Sequence, residues 1–304
     1  MKIIFAGTPA NAAVTLQALL QGDTGFFEVV AVLTRPDAPL GRKRVMTPSP
    51  VAAVAEAAGI PVIKTKKVDA AAVAEIKKYG ADLGVIVAYG ALLNSEALAS
   101  TAKGWINIHY SLLPMWRGAA PVQNALLNGD NTTGVTVFQL DEGMDTGPIW
   151  LKVPTEIQPD ENSGDLLGRL TSLGISAMNQ VLPEIAAGLA NPKSQVIGDE
   201  PLAAKPTREA AKIDFDASAI AIERKVRAFN PEPMAHALLA DEPFRILAAR
   251  ALGATDWASL GEGNEHRHGL VSVQKNRVLV HCGQGTLLEL KQVCLLYTSD
   301  AADD

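Results

Sequence analysis

Cysteine is scarce. Cys282 and Cys294 are the only two in 304 residues, and no Cys-x-x-Cys occurs. This excludes a disulfide framework and a cysteine-based zinc motif, and it suits a reducing compartment. No apolar run approaches the roughly 20 residues that cross a bilayer. The apolar start, Ile3 to Gly7, is broken at once by Thr8 and Pro9. A secretory signal is therefore not expected, whereas a cytoplasmic protein with no membrane partner is. Positive charge is not in surplus either. The formal net charge is −6, which speaks against a general nucleic-acid binder and against DNA as a partner. There is no internal repeat. The early "AGTP" lacks G-x-G-x-x-G, so no dinucleotide site is expected there.

What is present is a long, core-forming chain. It is 48% hydrophobic, and its length fits two domains. Strand-like and helix-like segments alternate through the first half. "KIIFA", "FEVVAVL", "IPVIK", "DLGVIVAY" and "WINIH" read as strands. Between them, "SPVAAVAEAAG" and "DAAAVAEIKKYG" open at Ser or Asp and close at Gly, as helices do. This alternation predicts an α/β fold with a doubly wound, Rossmann-like, mostly parallel sheet. "TGVTVFQL" and "PIWLKVPTEI" follow so closely that they are expected to pair antiparallel. A long helix is expected from Ser163 to Leu189. Residues 190–205 read as a linker. Residues 206–293 carry a helix over 216–229, capped by Asp216, and then short β-like runs that point to a small OB-like barrel. The last residues, "CLLYTSDAADD" at 294–304, break the pattern. They resemble an in-frame translation of a sequencing adapter, and a native end near Val293 is expected.

"GWINIHYSLLP", residues 104–114, carries the chemistry. In a strand alternate residues share a face, so Trp105, Asn107 and His109 point one way and Ile106 and Ile108 the other. Asn107 and His109 also sit at the carboxyl end of the strand, the edge at which open parallel sheets bind ligands. An asparagine amide can donate to a developing oxyanion. A histidine exchanges protons near neutral pH, and a carboxylate supports its charged form. The pair fits acyl transfer to an amine. The carboxylate lies in "QLDEGMDTGP", where Asp145 stands between Gly143 and Gly147. Asp141 and Glu142 compete with it, and spacing alone does not choose among the three.

Other features are bland. "EHRH" at 265–268 reads as a polar turn, so no metal is expected. Cys282 reads as a packed strand residue. Two basic clusters stand out against the acidic average. "RPDAPLGRKR" contributes Arg35, Arg42, Lys43 and Arg44 to a loop after the second strand. Lys205, Arg208, Lys212, Arg224, Lys225 and Arg227 span the linker and the following helix, with Glu209 and Glu223 interleaved.

Taken in order along the chain, "FAGTP", "RPD…GR…PSPV", "INIHYSLLPMWRGAAPVQNAL", "GVTVFQLDEGMDTGPI" and "RAFNPEP" resemble the folate-dependent formyltransferases. "RGAAP" narrows the resemblance to those that act on methionyl-tRNA. It extends from Met1 to about Val293. It implies 10-formyltetrahydrofolate as formyl donor, methionyl-initiator tRNA as acceptor, and a monomer. Asn107 is then the oxyanion donor, His109 the proton-transfer group and Asp145 its partner. Ser111, Leu112, Leu113 and Pro114 match the folate-binding segment, with pterin contacts from Val87 and Tyr89. Arg42, Lys43 and Arg44 would engage the acceptor end, while Lys205 and Arg208 would contact tRNA from the second domain. Ala10, Asn11 and Met115 depart from the usual family residues, so methionine recognition and one phosphate or folate contact are expected to differ in detail. A formyltransferase acting on a sugar or ribonucleotide amine is the nearest rival. A non-catalytic RNA-binding module is the other.

Overall fold

Short apolar runs separated by alanine-rich amphipathic stretches dictate the architecture. A computed structural model of the chain describes residues 1–22, 25–41, 43–189, 191–239, 242–253, 268–274 and 276–295. The first elements are β1 (Lys2–Gly7), α1 (Ala10–Gln21), β2 (Glu28–Thr34), the short strands β3 (Ala38–Leu40) and β4 (Val45–Thr47), α2 (Pro50–Ala57) and β5 (Val62–Lys64). There follow α3 (Ala70–Lys78), β6 (Leu83–Val87), α4 (Ser95–Leu98), β7 (Trp105–His109), β8 (Arg117–Gly118), α5 (Pro121–Asn128), β9 (Thr132–Gln139), β10 (Ile149–Glu156) and α6 (Ser163–Ala187). The remainder holds β11 (Leu202–Ala203), α7 (Ala219–Phe229), β12 (His236–Leu239), β13 (Glu242–Ala251), β14 (Val271–Gln274), β15 (Arg277–Cys282) and β16 (Thr286–Leu295).

Seven strands form one sheet in the order β10-β9-β7-β6-β1-β2-β5. β7, β6, β1, β2 and β5 run parallel. β9 returns antiparallel beside β7, and β10 antiparallel beside β9. All five residues of β6 are buried, as expected of a parallel strand covered on both faces. Helices start where the sequence supplies caps. Ser49 Oγ accepts from the Ala52 amide at 3.0 Å, and Asp69 Oδ1 accepts from that of Ala72 at 3.1 Å. β7 is anchored at its first residue. Trp105 is fully buried, and its indole N–H donates to the Ala97 carbonyl at 2.9 Å. Directly across the ladder stands Gly84.

By contacts the chain divides into two units, Met1–Gly118 with Thr132–Glu156 and Leu167–Leu202, and Ala119–Asn131 with Ile157–Leu166 and Ala203–Asp304. The second contains a five-stranded antiparallel sheet, β12-β13-β16-β15-β14. α7 packs on it through Ile222 and Val226 against Phe244, Ile246 and Leu288. Cys282 lies in that core, and burial pushes its thiol up to about 12. Cys294 and Leu295 extend β16 opposite Arg245 and Phe244. The rest of the adapter-like tail lies outside the described residues. One cap expectation is corrected. Ser218, not Asp216, caps α7, its Oγ accepting from Ala221. Gly283 donates its N–H to the carbonyls of Phe215 and Ala217, and Ala217 donates its own to the Asp214 carbonyl, which holds residues 214–217 in a turn. The helix therefore starts two residues later, and the Asp216 carboxylate pairs instead with His268 Nδ1 at 2.7 Å. Among the described residues no helix is long and apolar enough to cross a membrane.

A Cβ at position 84 would lie 2.1 Å from the Trp105 ring. Gly84→Ala is expected to destabilise the fold by about 1–3 kcal/mol, read as a lower urea midpoint. An unchanged midpoint would show that the β6–β7 contact yields freely.

Candidate active site

β7 ends at the carboxyl edge of the sheet, between β6 and β9, and that placement creates the site. Asn107 lies across from Ile86 on one side and Phe138 on the other. Its Oδ1 is buried and has no hydrogen-bond partner among the described residues. Leaving a buried acceptor unsatisfied costs about 1–3 kcal/mol, so the amide is built to be completed by something other than the protein.

His109, two residues on, is buried, its ring edge-on to Phe138 with centroids 6.3 Å apart. Nε2 lies 2.8 Å from the Trp116 carbonyl oxygen. A carbonyl only accepts, so Nε2–H donates, and the neutral ring carries its lone pair on Nδ1. Nδ1 faces Asp145 Oδ2 at 3.8 Å, near enough for charge to act and too far for a direct hydrogen bond. Burial pulls the imidazole below its ordinary value. The Asp145 charge, and after it the bond to Trp116, oppose that shift without reversing it. The resting ring is neutral at pH 7.

The three acids of the 139–148 loop separate cleanly. Asp141 accepts from the Gly143 amide at 3.1 Å and from Thr146 Oγ1 at 2.8 Å, which closes the loop turn. Glu142 accepts from Ser95 Oγ at 2.5 Å. Asp145 is the acid beside His109. It adopts a left-handed backbone, φ 54°, and its Oδ2 accepts from the Gly118 amide at 2.8 Å.

The segment 110–118 is knitted around this pair. Thr136 sits opposite His109 in the β7–β9 ladder. Its hydroxyl donates to the Ser111 carbonyl at 2.7 Å and accepts from the Leu113 amide at 3.1 Å. Ser111 Oγ donates to the Met115 carbonyl at 2.5 Å. Ser111 and Leu113 are both buried, so their side chains face the protein. Leu112 packs over Gly134, and the Leu113–Pro114 peptide is cis. Val87 ends β6 in the core. Tyr89 is buried too, its carbonyl accepting from Thr8 Oγ1 at 2.9 Å. Asn11 donates to the Tyr110 hydroxyl at 3.0 Å, beside His109.

Lys43 and Arg44 are exposed in the turn between β3 and β4, and Lys205 and Arg208 are exposed as well. Arg42 lies outside the described residues. Lys212 is exposed too, whereas the three basic residues of α7 are engaged internally. Arg224 donates to the Asn128 carbonyl at 3.3 Å, Lys225 to that of Lys212 at 3.2 Å and Arg227 to that of Glu161 at 3.3 Å. Residues 265–267 of "EHRH" lie outside the described residues. Among those described, no group of His, Cys, Asp and Glu could hold a metal.

Sequence reading missed three participants. Trp116 acts through its carbonyl, which its side chain does not announce. Thr136 had a signal, a hydroxyl in an otherwise apolar strand run. Gln195, in the stretch read as a linker, donates its amide N–H groups to the carbonyls of Asp145 at 2.9 Å and Gly147 at 2.7 Å, and no periodicity marks it.

The His109 imidazole is expected to titrate below about 6.5 by histidine-resolved NMR, with His109→Asn assigning the signal. Asp145→Asn should move it lower still, because the carboxylate raises it. Since the folded ring resists a proton that the unfolded chain accepts, its contribution to stability is complete above about pH 6.5 and falls as pH drops below that. A titration at or above the ordinary value would contradict the geometry.

The formyl transferase family model matches residues 1–182, and that of the formyl transferase C-terminal domain matches residues 205–295. The methionyl-tRNA formyltransferase of Acidothermus cellulolyticus is 44% identical over 289 residues, 92% of this chain and 88% of that protein. That of Renibacterium salmoninarum is 47% identical over 249 residues, 82% of this chain and 80% of that protein. Among solved structures, the N-formyltransferase of Helicobacter canadensis, in complex with folinic acid and dTDP-3-aminofucose, has a TM-score of 0.68 at 18% identity, covering 95% of this chain and 98% of that one. Glycinamide ribonucleotide transformylase 1 from Symbiobacterium toebii has a TM-score of 0.53 at 21% identity, covering 65% of this chain and 94% of that one. The structural likenesses establish the fold. Sequence identity at this level over most of the chain goes further: the chain belongs to the methionyl-tRNA formyltransferase family.

Proposed function

We propose that this chain transfers the formyl group of 10-formyltetrahydrofolate to the α-amine of methionyl-initiator tRNA, with Asn107, His109 and Asp145 as its catalytic residues. One observation carries the residue assignment. A half-buried asparagine whose buried amide oxygen is an orphan, and a buried neutral histidine, stand two residues apart on one sheet edge. The donor, when bound, supplies an activated formyl carbon. Asn107 fits the reaction at both ends of its amide: its N–H donates to the formyl oxygen as negative charge builds there, stabilising a tetrahedral intermediate, and its orphan Oδ1 accepts from the attacking amine. Nδ1 of His109 takes the proton released by the attacking amine and Asp145 holds the resulting imidazolium; as the intermediate collapses, the bond from the folate nitrogen to the formyl carbon breaks and that proton passes to the departing nitrogen, releasing tetrahydrofolate. The backbone of 111–114 and of Val87 and Tyr89 frames the folate.

The acceptor is a polyanion, and exposed cations are what it would meet. Lys43 and Arg44, exposed in the turn between β3 and β4, engage the acceptor end, and Arg42 is assigned to the same role from the sequence. Lys205 and Arg208 add contacts from the second domain. In this reading residues 1–189 form the catalytic domain, 190–205 the connection, and 206–293 an OB-like tRNA-binding domain. The protein acts as a monomer in the cytoplasm, where initiator tRNA is used.

The test is formylation of charged initiator tRNA, charged elongator tRNA and a free amino sugar, side by side. Transfer to the initiator is expected, and transfer to the sugar alone would overturn the proposal. Asn107→Ala should lower kcat by about 10²–10³-fold, and His109→Ala by about 10²–10⁴-fold. Replacing Lys43 and Arg44 together by Ala should raise KM for tRNA, leave KM for the formyl donor unchanged, and flatten the log–log salt dependence by up to about two. Equal loss of donor affinity would rule out the assignment of that turn.

A further inference from the structure

Asp145 lies close to His109 only because its loop is held in an unusual shape. Its φ of 54° is left-handed, a region that L residues other than Asn and Asp seldom occupy. The carboxylate itself has one hydrogen bond to the main chain, from Gly118. What fixes the backbone comes from far away in sequence. Gln195 Nε2 reaches the carbonyls of Asp145 and Gly147 at 2.9 and 2.7 Å, using both amide protons on the two sides of one turn. Carbonyls only accept, so the orientation of this amide is unambiguous. Gln195 Oε1 is buried with no hydrogen-bond partner among the described residues, so nothing else directs the side chain.

Gln195 is itself anchored. It lies on a strap, residues 191–202, that is tied to β10 by a two-bond bridge between Lys193 and Ile149, at 2.7 and 2.8 Å. Further along, the Pro201 carbonyl accepts from the Trp116 amide at 3.2 Å. The strap thus touches both loops that contact His109, the one giving the Trp116 carbonyl and the one giving Asp145. The turn also packs closely against the end of β9 at Gly147. A Cβ on Gly147 would meet the Gln139 carbonyl oxygen at 1.8 Å.

We propose that Gln195 is a positioning residue for formyl transfer: its amide locks the 145–147 turn so that the Asp145 carboxylate stays beside His109 Nδ1. This rests on Asp145 acting with His109, as argued above. Displacing a catalytic group by about 1 Å costs on the order of 10²-fold in rate, which sets the scale. A residue of the same length without donors cannot replace it, whereas a flexible cation that keeps donors can.

The full-length enzyme is compared as wild type, Gln195→Met, Asp145→Asn and the double variant. The readouts are kcat, KM for formyl donor and for methionyl-tRNA, and thermal unfolding. Gln195→Met is expected to lower kcat by about 10–100-fold with both KM values within about twofold. In the Asp145→Asn background the same change should cost less than about threefold, because the group it positions is already gone. Gln195→Lys, which keeps donors, should retain most of the rate. Full kcat in Gln195→Met beside a slow Asp145→Asn would overturn this inference alone. So would an equal loss in both backgrounds, a loss that merely tracks the unfolded fraction, or a Gln195→Lys as slow as Gln195→Met. A fully active Asp145→Asn would overturn the catalytic reading and this inference with it.

Discussion

The bond from His109 Nε2 to the Trp116 carbonyl decides what the site can do. At 2.8 Å it commits the neutral imidazole to one tautomer and leaves Nδ1 as the nitrogen that can gain a proton. A ring not tied in this way could present either nitrogen, and the Asp145 carboxylate would have no fixed partner. The carbonyl is aimed by Trp116 itself, whose φ of 58° turns the chain sharply, and by the hydroxyls of Thr136 and Ser111, which brace the preceding residues. The chemistry of one histidine therefore depends on a loop whose own side chains do little of it.

Two opposed effects then set the charge of that ring. Burial disfavours the imidazolium, and Asp145 at 3.8 Å favours it. Here burial prevails and the ring rests neutral. That order suits a proton acceptor. The base is available at pH 7, and the carboxylate that fails to charge it at rest stabilises the charge once a proton arrives.

Much of this was legible in the sequence. "WINIH" marks β7 to the residue, because an apolar strand with two polar side chains on one face has few other readings. Ser49 and Asp69 could be read as caps, since capping is a local event. Asp216 could not. The start of α7 is set by Gly283 bonding to residues 215 and 217, a contact formed only after folding. The three acids of the 139–148 loop illustrate the same limit. Asp141 is claimed by a threonine five residues on, Glu142 by a serine 47 residues back, and the backbone of Asp145 by a glutamine 50 residues on. Spacing within the loop carries none of that information, and resemblance to a family carries it only as precedent.

Charge shows the limit most sharply. A chain of net charge −6 must meet a polyanion through local cations, and counting lysines and arginines overstates how many are available. Arg224 lies against the carboxyl end of α5, donating to Asn128 beside Gly129, where a helix presents negative potential. Arg227 has Glu223 at 3.6 Å as well as a carbonyl. Such cations hold the fold and have little left to offer a phosphate. Lys43, Arg44, Lys205 and Arg208 are exposed and make no ion pair among the described residues. The distinction is between a cation already neutralised by protein and one neutralised only by mobile counterions. Release of those counterions is what makes phosphate binding favourable, so the free cations, and not the total, set the strength of the encounter.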